Sequence, residues 1–582
     1  MKEPPRLGLL AFLLAAVGLL GLLATLPPTG FFSADSGPKY WQCLAFAEGD
    51  GSPRGFDYPA RGLDPELHHI PPFTAPVGDR LASIYPVLFP LLAAVPEAAA
   101  GDRALRLLPW LAAILAAWAT GRLASALRGE AVTWPAAAAA LAATPLAFYA
   151  IAFWEHSLAS AMVVVGLLVV VEGERGRARV AWRWLVLGVL VGLGSWVRTE
   201  AAFLVPLLVA AAAWRGGPAR LRCALAVAGG CAAGLACGAA VQSAALGTWL
   251  PMHVTYHAAS TFRAHELLSP RLASLAHFVA PDWSCGLGAA VWLAALAMNL
   301  TRAGSRSRAG RILGVAAVAV AVGAATVVPA VRWLAGARPT DAFPATAPAT
   351  TWVVLSALPL LLWGQPRAAT GDKRRLMVAA AAAWSIFAVF VARPVHSFEW
   401  GSRLFLTAVL LLLAVTASLR VAGGPWRRLR RAAVVAAVAT AIAVQGLGLV
   451  LLRHGATTHH RIGAAVLAFS GQGEPVVSDS YMVPLISGRG WWQRRFLYVT
   501  GRPGLELLAA SFAKGGVARW TYATLERPPA GLLQGGGELV GSDGSRWRPR
   551  LAEDREVGSE RLRLLRFERR WPRRAEAAKA AP

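Results

Sequence analysis

Leu26-Pro27-Pro28-Thr29-Gly30-Phe31-Phe32-Ser33-Ala34-Asp35-Ser36-Gly37-Pro38-Lys39-Tyr40-Trp41-Gln42 is the stretch on which the reading of the fold turns. Directly ahead of it, Leu7 to Leu26 is an apolar run with no charged residue. At about 1.5 Å per residue, such a run makes a helix long enough to cross a bilayer core of roughly 30 Å. Pro27, Pro28 and Gly30 end that helix. An acid, Asp35, then follows a turn or two past the membrane face, with Lys39 four residues on. A carboxylate placed there can accept a proton from a hydroxyl nucleophile, or coordinate a cation, at the boundary between lipid and water. The plain alternative is a solvated loop acid. The rest of the chain decides between them.

Of 582 residues, 56% are hydrophobic and only 15% charged, where soluble proteins carry about a quarter charged. This composition is that of a polytopic membrane protein. In a soluble chain a formal charge of +26 would suggest nucleic acid. Here the basic residues fall largely in short loops between apolar runs, where they orient helices, so nucleic acid is not expected as a partner. The five cysteines include no CxxC pair and give no metal framework. Cys43 and Cys285 would share the external side, which leaves a disulfide between them open. Lys2 and Arg6 precede the first apolar run as they would in a signal peptide, but its apolar core is too long, and we read it as a retained helix.

Further apolar runs lie at about 104–124, 131–150, 155–172, 183–197, 200–214, 223–246, 285–301, 312–334, 350–363, 376–392, 403–421 and 432–452. With the first helix they predict about thirteen spans. Arginine sets their direction. Basic clusters at Arg122 to Arg128, Arg175 to Arg179, Arg215 to Arg222, Arg302 to Arg311, Lys373 to Arg375 and Arg427 to Arg431 all fall on the N-terminal side. That side is therefore expected to be cytoplasmic.

Ile84 to Val95 looks like one more span, but counting it would invert every later loop. It is also short and broken by Pro86 and Pro90. We place it as an amphipathic or re-entrant segment within one long external loop, residues 27–103. The membrane domain then runs over 1–452 and an extracytoplasmic α/β domain over 453–571, with a disordered tail at 572–582. Within that domain, 474–479 and 495–499 read as buried strands, Leu505 to Lys514 as a helix, and Arg561 to Phe567 as an alternating strand.

Three further polar clusters fall on the side of Asp35. Tyr149-Ala-Ile-Ala-Phe-Trp154-Glu155-His156-Ser157 lies between the third and fourth spans. A charge there costs roughly 2–3 kcal/mol if left in hydrocarbon, so Glu155 and His156 should face a polar cavity, or else pair to fix helix packing. Trp196-Val-Arg198-Thr-Glu200 forms the next outer turn, where Arg198 and Glu200 either pair structurally or serve a ligand. Arg393-Pro-Val-His396-Ser-Phe-Glu399-Trp400-Gly401-Ser-Arg403 lies between the eleventh and twelfth spans. Arg403 is either an interfacial anchor or, with Arg198, a guanidinium for phosphate oxygens. A phosphate-bearing lipid is the natural ligand.

This pattern resembles the GT-C superfamily of integral-membrane glycosyltransferases, which includes protein O-mannosyltransferases and aminoarabinose transferases. An acid just after the first helix matches at Asp35. A polar group in the second external loop, after a run like Leu-Ala-Phe-Tyr-Ala, matches at Glu155. Gly192-Leu-Gly-Ser-Trp-Val-Arg198 looks like the family's Gly-rich helix ending in arginine, and Trp400-Gly-Ser-Arg403-Leu-Phe-Leu like its late G-x-R-F/Y-L element. Ser36 stands where the family often has a second acid. Glu155 stands with a histidine where metal-dependent members show paired acids, so a divalent metal is left open.

The resemblance implies a bacterial inner-membrane glycosyltransferase with a periplasmic active site. It would move a sugar from a polyprenyl-phosphate-linked donor to an acceptor hydroxyl on a glycan, lipid or protein. Asp35 would be the catalytic base. Lys39, Tyr40, Glu155 and His156 would orient donor or acceptor, and Arg198 and Arg403 would bind the lipid phosphate. A transporter or flippase for a lipid-linked glycan and a non-catalytic envelope assembly protein are the competing classes. No internal repeat favours the transporter, and Walker A, G-x-S-x-G and H-E-x-x-H signatures are missing.

Overall fold

The computed structural model describes residues 5–49, 55–172, 180–215, 219–252, 308–334, 355–362, 372–390, 405–419, 427–525, 538–558 and 560–570, with a few single positions between 254 and 353. Apolar helices dominate, and a mixed sheet follows near the C-terminus. Four described helices are long and apolar enough to cross a membrane: Arg6–Thr25, Asp102–Arg128, Arg220–Leu246 and Arg427–Phe469. This is a membrane protein. Several of the thirteen expected spans lie wholly or partly outside the described residues, 285–301 and 350–363 among them.

Helix α1 (Pro5–Thr25) packs against α5 (Thr133–Ala142). Chain continues through α2 (Ser36–Glu48), the hairpin β1 (Thr74–Val77) and β2 (Arg80–Ser83), and α3 (Leu88–Ala100). A 3-10 turn, Asp102–Arg106, leads into α4 (Leu107–Arg128). Next come α6 (Leu146–Ile151), α7 (His156–Glu172), α8 (Val180–Ser195), α9 (Leu204–Arg215) and α10 (Arg220–Leu246). Ala113, Ala116, Ala117, Ala137 and Ala140 lie buried in the helical core. Small side chains of this kind let helix backbones approach closely where no hydrophobic effect drives association.

The run expected as one span over 131–150 is two helices, α5 and α6. Pro145 has no N–H to continue the ladder. Thr144 bridges the break, its hydroxyl donating to Ala140 O at 2.6 Å and accepting from Leu146 N at 3.2 Å. The proline-rich run after Ile84 becomes helical only from Leu88. The resulting α3 has 13 residues, about 20 Å, short of a bilayer crossing.

Helices α11 (Arg308–Leu334), α12 (Asp372–Phe390) and α13 (Leu406–Ser418) precede the longest element, α14 (Arg427–Phe469). Its 43 residues span roughly 65 Å, about twice the hydrocarbon thickness. The boundary read at 452/453 therefore falls inside a continuous helix. Polar residues from Arg453 to Arg461 ended the hydropathic signal there, but Ala456, Ile462, Val466 and Phe469 keep a buried stripe at helical spacing.

The sheet has the order β4-β3-β5-β8-β7-β6. Strands β3 (Pro475–Ser478), β4 (Arg495–Tyr498) and β5 (Arg519–Thr524) run parallel, with α15 (Gly501–Lys514) between β4 and β5. Antiparallel pairing then adds β8 (Glu560–Arg570), β7 (Arg546–Val557) and the short β6 (Leu539–Val540). The elements expected at 474–479, 495–499, 505–514 and 561–567 all form. Trp520, Trp547, Phe512 and Phe567 make an aromatic core, with Trp520 and Phe567 stacked at 4.4 Å.

Sheet and helices meet across α2. Trp41 is fully buried, stacks on Trp491 at 4.2 Å and donates its indole N–H to Gly488 O at 3.2 Å. Burying an indole of roughly 150–250 Å² contributes about 4–6 kcal/mol at most. Gly37 lies so close to the Leu485 carbonyl that any Cβ would collide with it.

Candidate functional site

Asp35 caps α2, and its carboxylate makes no capping hydrogen bond to the helix. It is half-buried, with its backbone N–H donating to Ser33 Oγ at 3.3 Å. Lys39 lies one turn on and on the same helix face. Its ammonium is buried and donates to Glu155 Oε2 at 2.6 Å. Glu155 comes from the loop between α6 and α7, which Ser36 Oγ ties to α2 by donating to Phe153 O at 3.2 Å.

Arg198, at the end of α8, reaches the other side of Glu155. Its Nη1 lies 3.0 Å from Glu155 Oε1 and 2.9 Å from His156 Nε2. An arginine N–H can only donate, so the imidazole Nε2 is the acceptor in this contact. Tyr149 stacks on the imidazole at 5.1 Å. The same guanidinium binds Glu200 through Nε, at 3.1 Å, and Nη2.

Asp35, Lys39, Glu155, His156 and Arg198 are thus gathered where α2, the α6–α7 loop and the α8 end converge. Three carboxylates (Asp35, Glu155, Glu200) stand against two cations (Lys39, Arg198). Charges this deeply buried persist only when paired. The result is a rigid polar array in an otherwise apolar region. Among the described residues no group of three or more His, Cys, Asp or Glu comes together to hold a metal. Both Glu155 oxygens are taken by cations, so this donor set does not fit one.

No family model matches the sequence, and no curated protein matches it at a significant level. Among solved structures, the chain is similar to ArnT from Cupriavidus metallidurans in the apo state. Identity is 14% over 95% of this chain and 97% of that one, with a TM-score of 0.43. The same protein bound to undecaprenyl phosphate gives 14% and 0.41 over the same shares. The oligosaccharyltransferase of Archaeoglobus fulgidus in its apo form gives 14% and 0.42 over 88% of this chain and 69% of that one. Both proteins are GT-C glycosyltransferases, the family whose motifs the sequence resembles. The superpositions are loose, and the functional reading rests on the residues of the site itself.

Arg403 lies outside the described residues, as does Cys285; Cys43 is a buried free thiol. Tyr40, expected beside the substrate, is directed to a different partner. Its hydroxyl donates to Asp102 Oδ1 at 2.8 Å, and burial, with Asp102 beside it, pushes the phenol well above its usual pKa. Asp102 belongs to a second cluster, in which Arg489 binds Asp102 at 3.0 Å, Glu97 at 2.8 Å and Glu48 at 2.6 Å.

The structure adds residues that the sequence did not single out. Tyr85 carries the Lys39 ammonium over its ring, 4.1 Å from the centroid. Arg106 donates to Pro27 O at 3.1 Å and to Gly30 O, and His459 Nδ1 lies 2.6 Å from Phe31 O. These bonds pin the segment leading to Asp35. Tyr85 lay in a proline-broken run, and no local pattern marked it or the other two.

Proposed function

We propose that the chain is a membrane glycosyltransferase that moves a sugar from a polyprenyl-phosphate donor to an acceptor hydroxyl, with its site on the periplasmic face of a bacterial inner membrane. One observation carries the reading: Asp35 stands one helical turn from a buried Lys39–Glu155–Arg198–Glu200 array. The donor class follows from the resemblance of the sequence motifs.

Asp35 takes the proton from the acceptor hydroxyl as that oxygen bonds to the anomeric carbon. The bond from the anomeric carbon to the phosphate oxygen breaks, and the electron pair leaves with the polyprenyl phosphate. Arg198 meets the developing phosphate charge, with Arg403 beside it by the resemblance. Arg198 already holds Glu155 and Glu200, so a donor phosphate competes with these carboxylates for it. The two acids hold the guanidinium in place until the donor enters. Lys39 and His156 position Glu155 and Arg198 in this scheme.

Proteoliposomes holding the purified chain and radiolabelled polyprenyl-phosphate sugar test this against transport. A transferase releases free polyprenyl phosphate as label appears on an acceptor. Label crossing the bilayer on an intact carrier would establish the transporter instead. In the same assay Arg198→Ala should weaken donor use, and Arg198→Lys should recover only part, because an ammonium lacks the bidentate fork. Equal activity of Arg198→Lys and the parent would contradict the phosphate role.

A further inference from the structure

A wall of aromatic rings leads away from the charged array. Tyr85 lies under the Lys39 ammonium, at 4.1 Å. Phe73 packs against Tyr85 at 6.2 Å between ring centroids, and Tyr481 meets Phe73 edge-on at 6.5 Å and 80°. Phe73 and Tyr85 are half-buried, and Tyr481 is 43% exposed. The three rings come from the turn before β1, the segment after β2 and the chain just past β3. They join the Lys39–Glu155 pair to the end of the parallel strands.

Phe73 also holds a backbone conformation that a bulky side chain rarely adopts, with φ at +63°. It is fixed there from both sides. Ile84 N–H donates to its carbonyl at 3.1 Å, and Thr74 enters the hairpin opposite Ser83 while its hydroxyl donates to Pro71 O at 2.6 Å. Glycine would meet the same backbone demand without strain. A phenylalanine kept at such a position points to a use for the ring.

We infer that Phe73, Tyr85 and Tyr481 form the acceptor subsite and that the acceptor it takes is a saccharide. This rests on the transferase reading and narrows its acceptor. A pyranose has one face of C–H bonds and a rim of hydroxyls. The partly exposed rings offer surface for the first. A peptide side chain asks for an enclosed slot, which partly exposed rings in a row do not make. Tyr85 touches Lys39, one helical turn from Asp35, so the wall leads toward the proposed base.

Saturation-transfer NMR on the full-length protein in detergent tests the inference. The probes are cellotetraose, mannotetraose, chitotetraose and a pool of Ser/Thr-containing peptides. At least one oligosaccharide should receive saturation at its ring C–H protons. Phe73→Gly and Tyr481→Ala should each lower that signal at least fivefold, and Tyr481→Phe should keep it. Phe73→Gly suits the +63° backbone, so the variant should still fold, with the circular-dichroism spectrum of the parent, which separates loss of the ring from loss of the fold. Asp35→Asn should keep the saccharide signal. The inference is overturned if no oligosaccharide is saturated, if both ring-removing variants leave the signal unchanged, or if only the peptides respond. Ring-dependent saccharide binding in a protein that transfers no sugar would sink the transferase reading and leave this subsite standing.

Discussion

Helix α2 sends consecutive residues into two different charged clusters. Lys39 enters the array with Glu155, Arg198 and Glu200, and Tyr40 enters the one with Asp102, Glu97, Glu48 and Arg489. In the first, both cations are buried or nearly so. In the second, Arg489 is 43% exposed, although Glu97 beneath it is buried. Buried pairs lose several kcal/mol when one partner is removed, because the other charge is stranded, whereas exposed pairs lose little. The first cluster is an internal array beside Asp35; the second is a half-solvated clasp between the sheet and the loop helices. The contrast makes α2 a hinge-pin, one side tied to the proposed chemistry and the other to the sheet.

The largest stability effect should come from Glu155→Gln. It strands the Lys39 ammonium and removes one carboxylate from Arg198, and should cost about 3–5 kcal/mol. Chemical unfolding or the yield of folded protein in detergent measures it. A variant as stable as the parent would show that the array is solvated. Arg489→Ala should cost less, about 1–2 kcal/mol, between the exposed and buried limits. Its unfolding midpoint should fall while transfer by the folded protein survives. Loss of transfer with unchanged stability would merge the two clusters into one functional unit.

The smallest effect is a pH slope. Burial, and then the charges of Asp102 and Glu48, raise the Glu97 pKa above its usual value against the pull of Arg489. The native state therefore keeps this proton to higher pH than the unfolded chain does. Stability from this group is greatest at low pH and falls as pH rises from the unfolded carboxyl range, near 4.3, through the raised native value. Thermal melts from pH 4 to 7 should show a flatter profile for Glu97→Gln than for the parent. Parallel profiles would mean that Glu97 titrates normally.

The two clusters also differ in how far the sequence disclosed them. Glu155, His156 and Arg198 were legible as polar residues at the ends of apolar runs, where charge is costly and calls for a reason; Asp35 and Lys39 were legible as an acid and a lysine shortly past the first apolar run. That Arg198 pairs with Glu200 was legible too, from their spacing. Arg489 meets its partners across 387 to 441 residues, and nothing local announces such a contact. Helix α2 was not expected from the sequence, and it opens on Ser36-Gly37-Pro38. Proline is tolerated in a first helical turn, and burial of Tyr40, Trp41 and Leu44 stabilises the rest. The extension of α14 was hidden by its polar face for the same reason: tertiary packing, and not hydropathy, continues the helix.

Asp35→Asn tests the account most directly. Asparagine keeps the size of the side chain but cannot take the acceptor's proton, and a general base contributes on the order of 10²–10⁴ in rate. Single-turnover transfer from bound polyprenyl-phosphate sugar should fall by that factor, while donor binding and the melting temperature match the parent. Transfer at the parental rate would contradict the assignment of Asp35 as the base and, with it, the proposed mechanism.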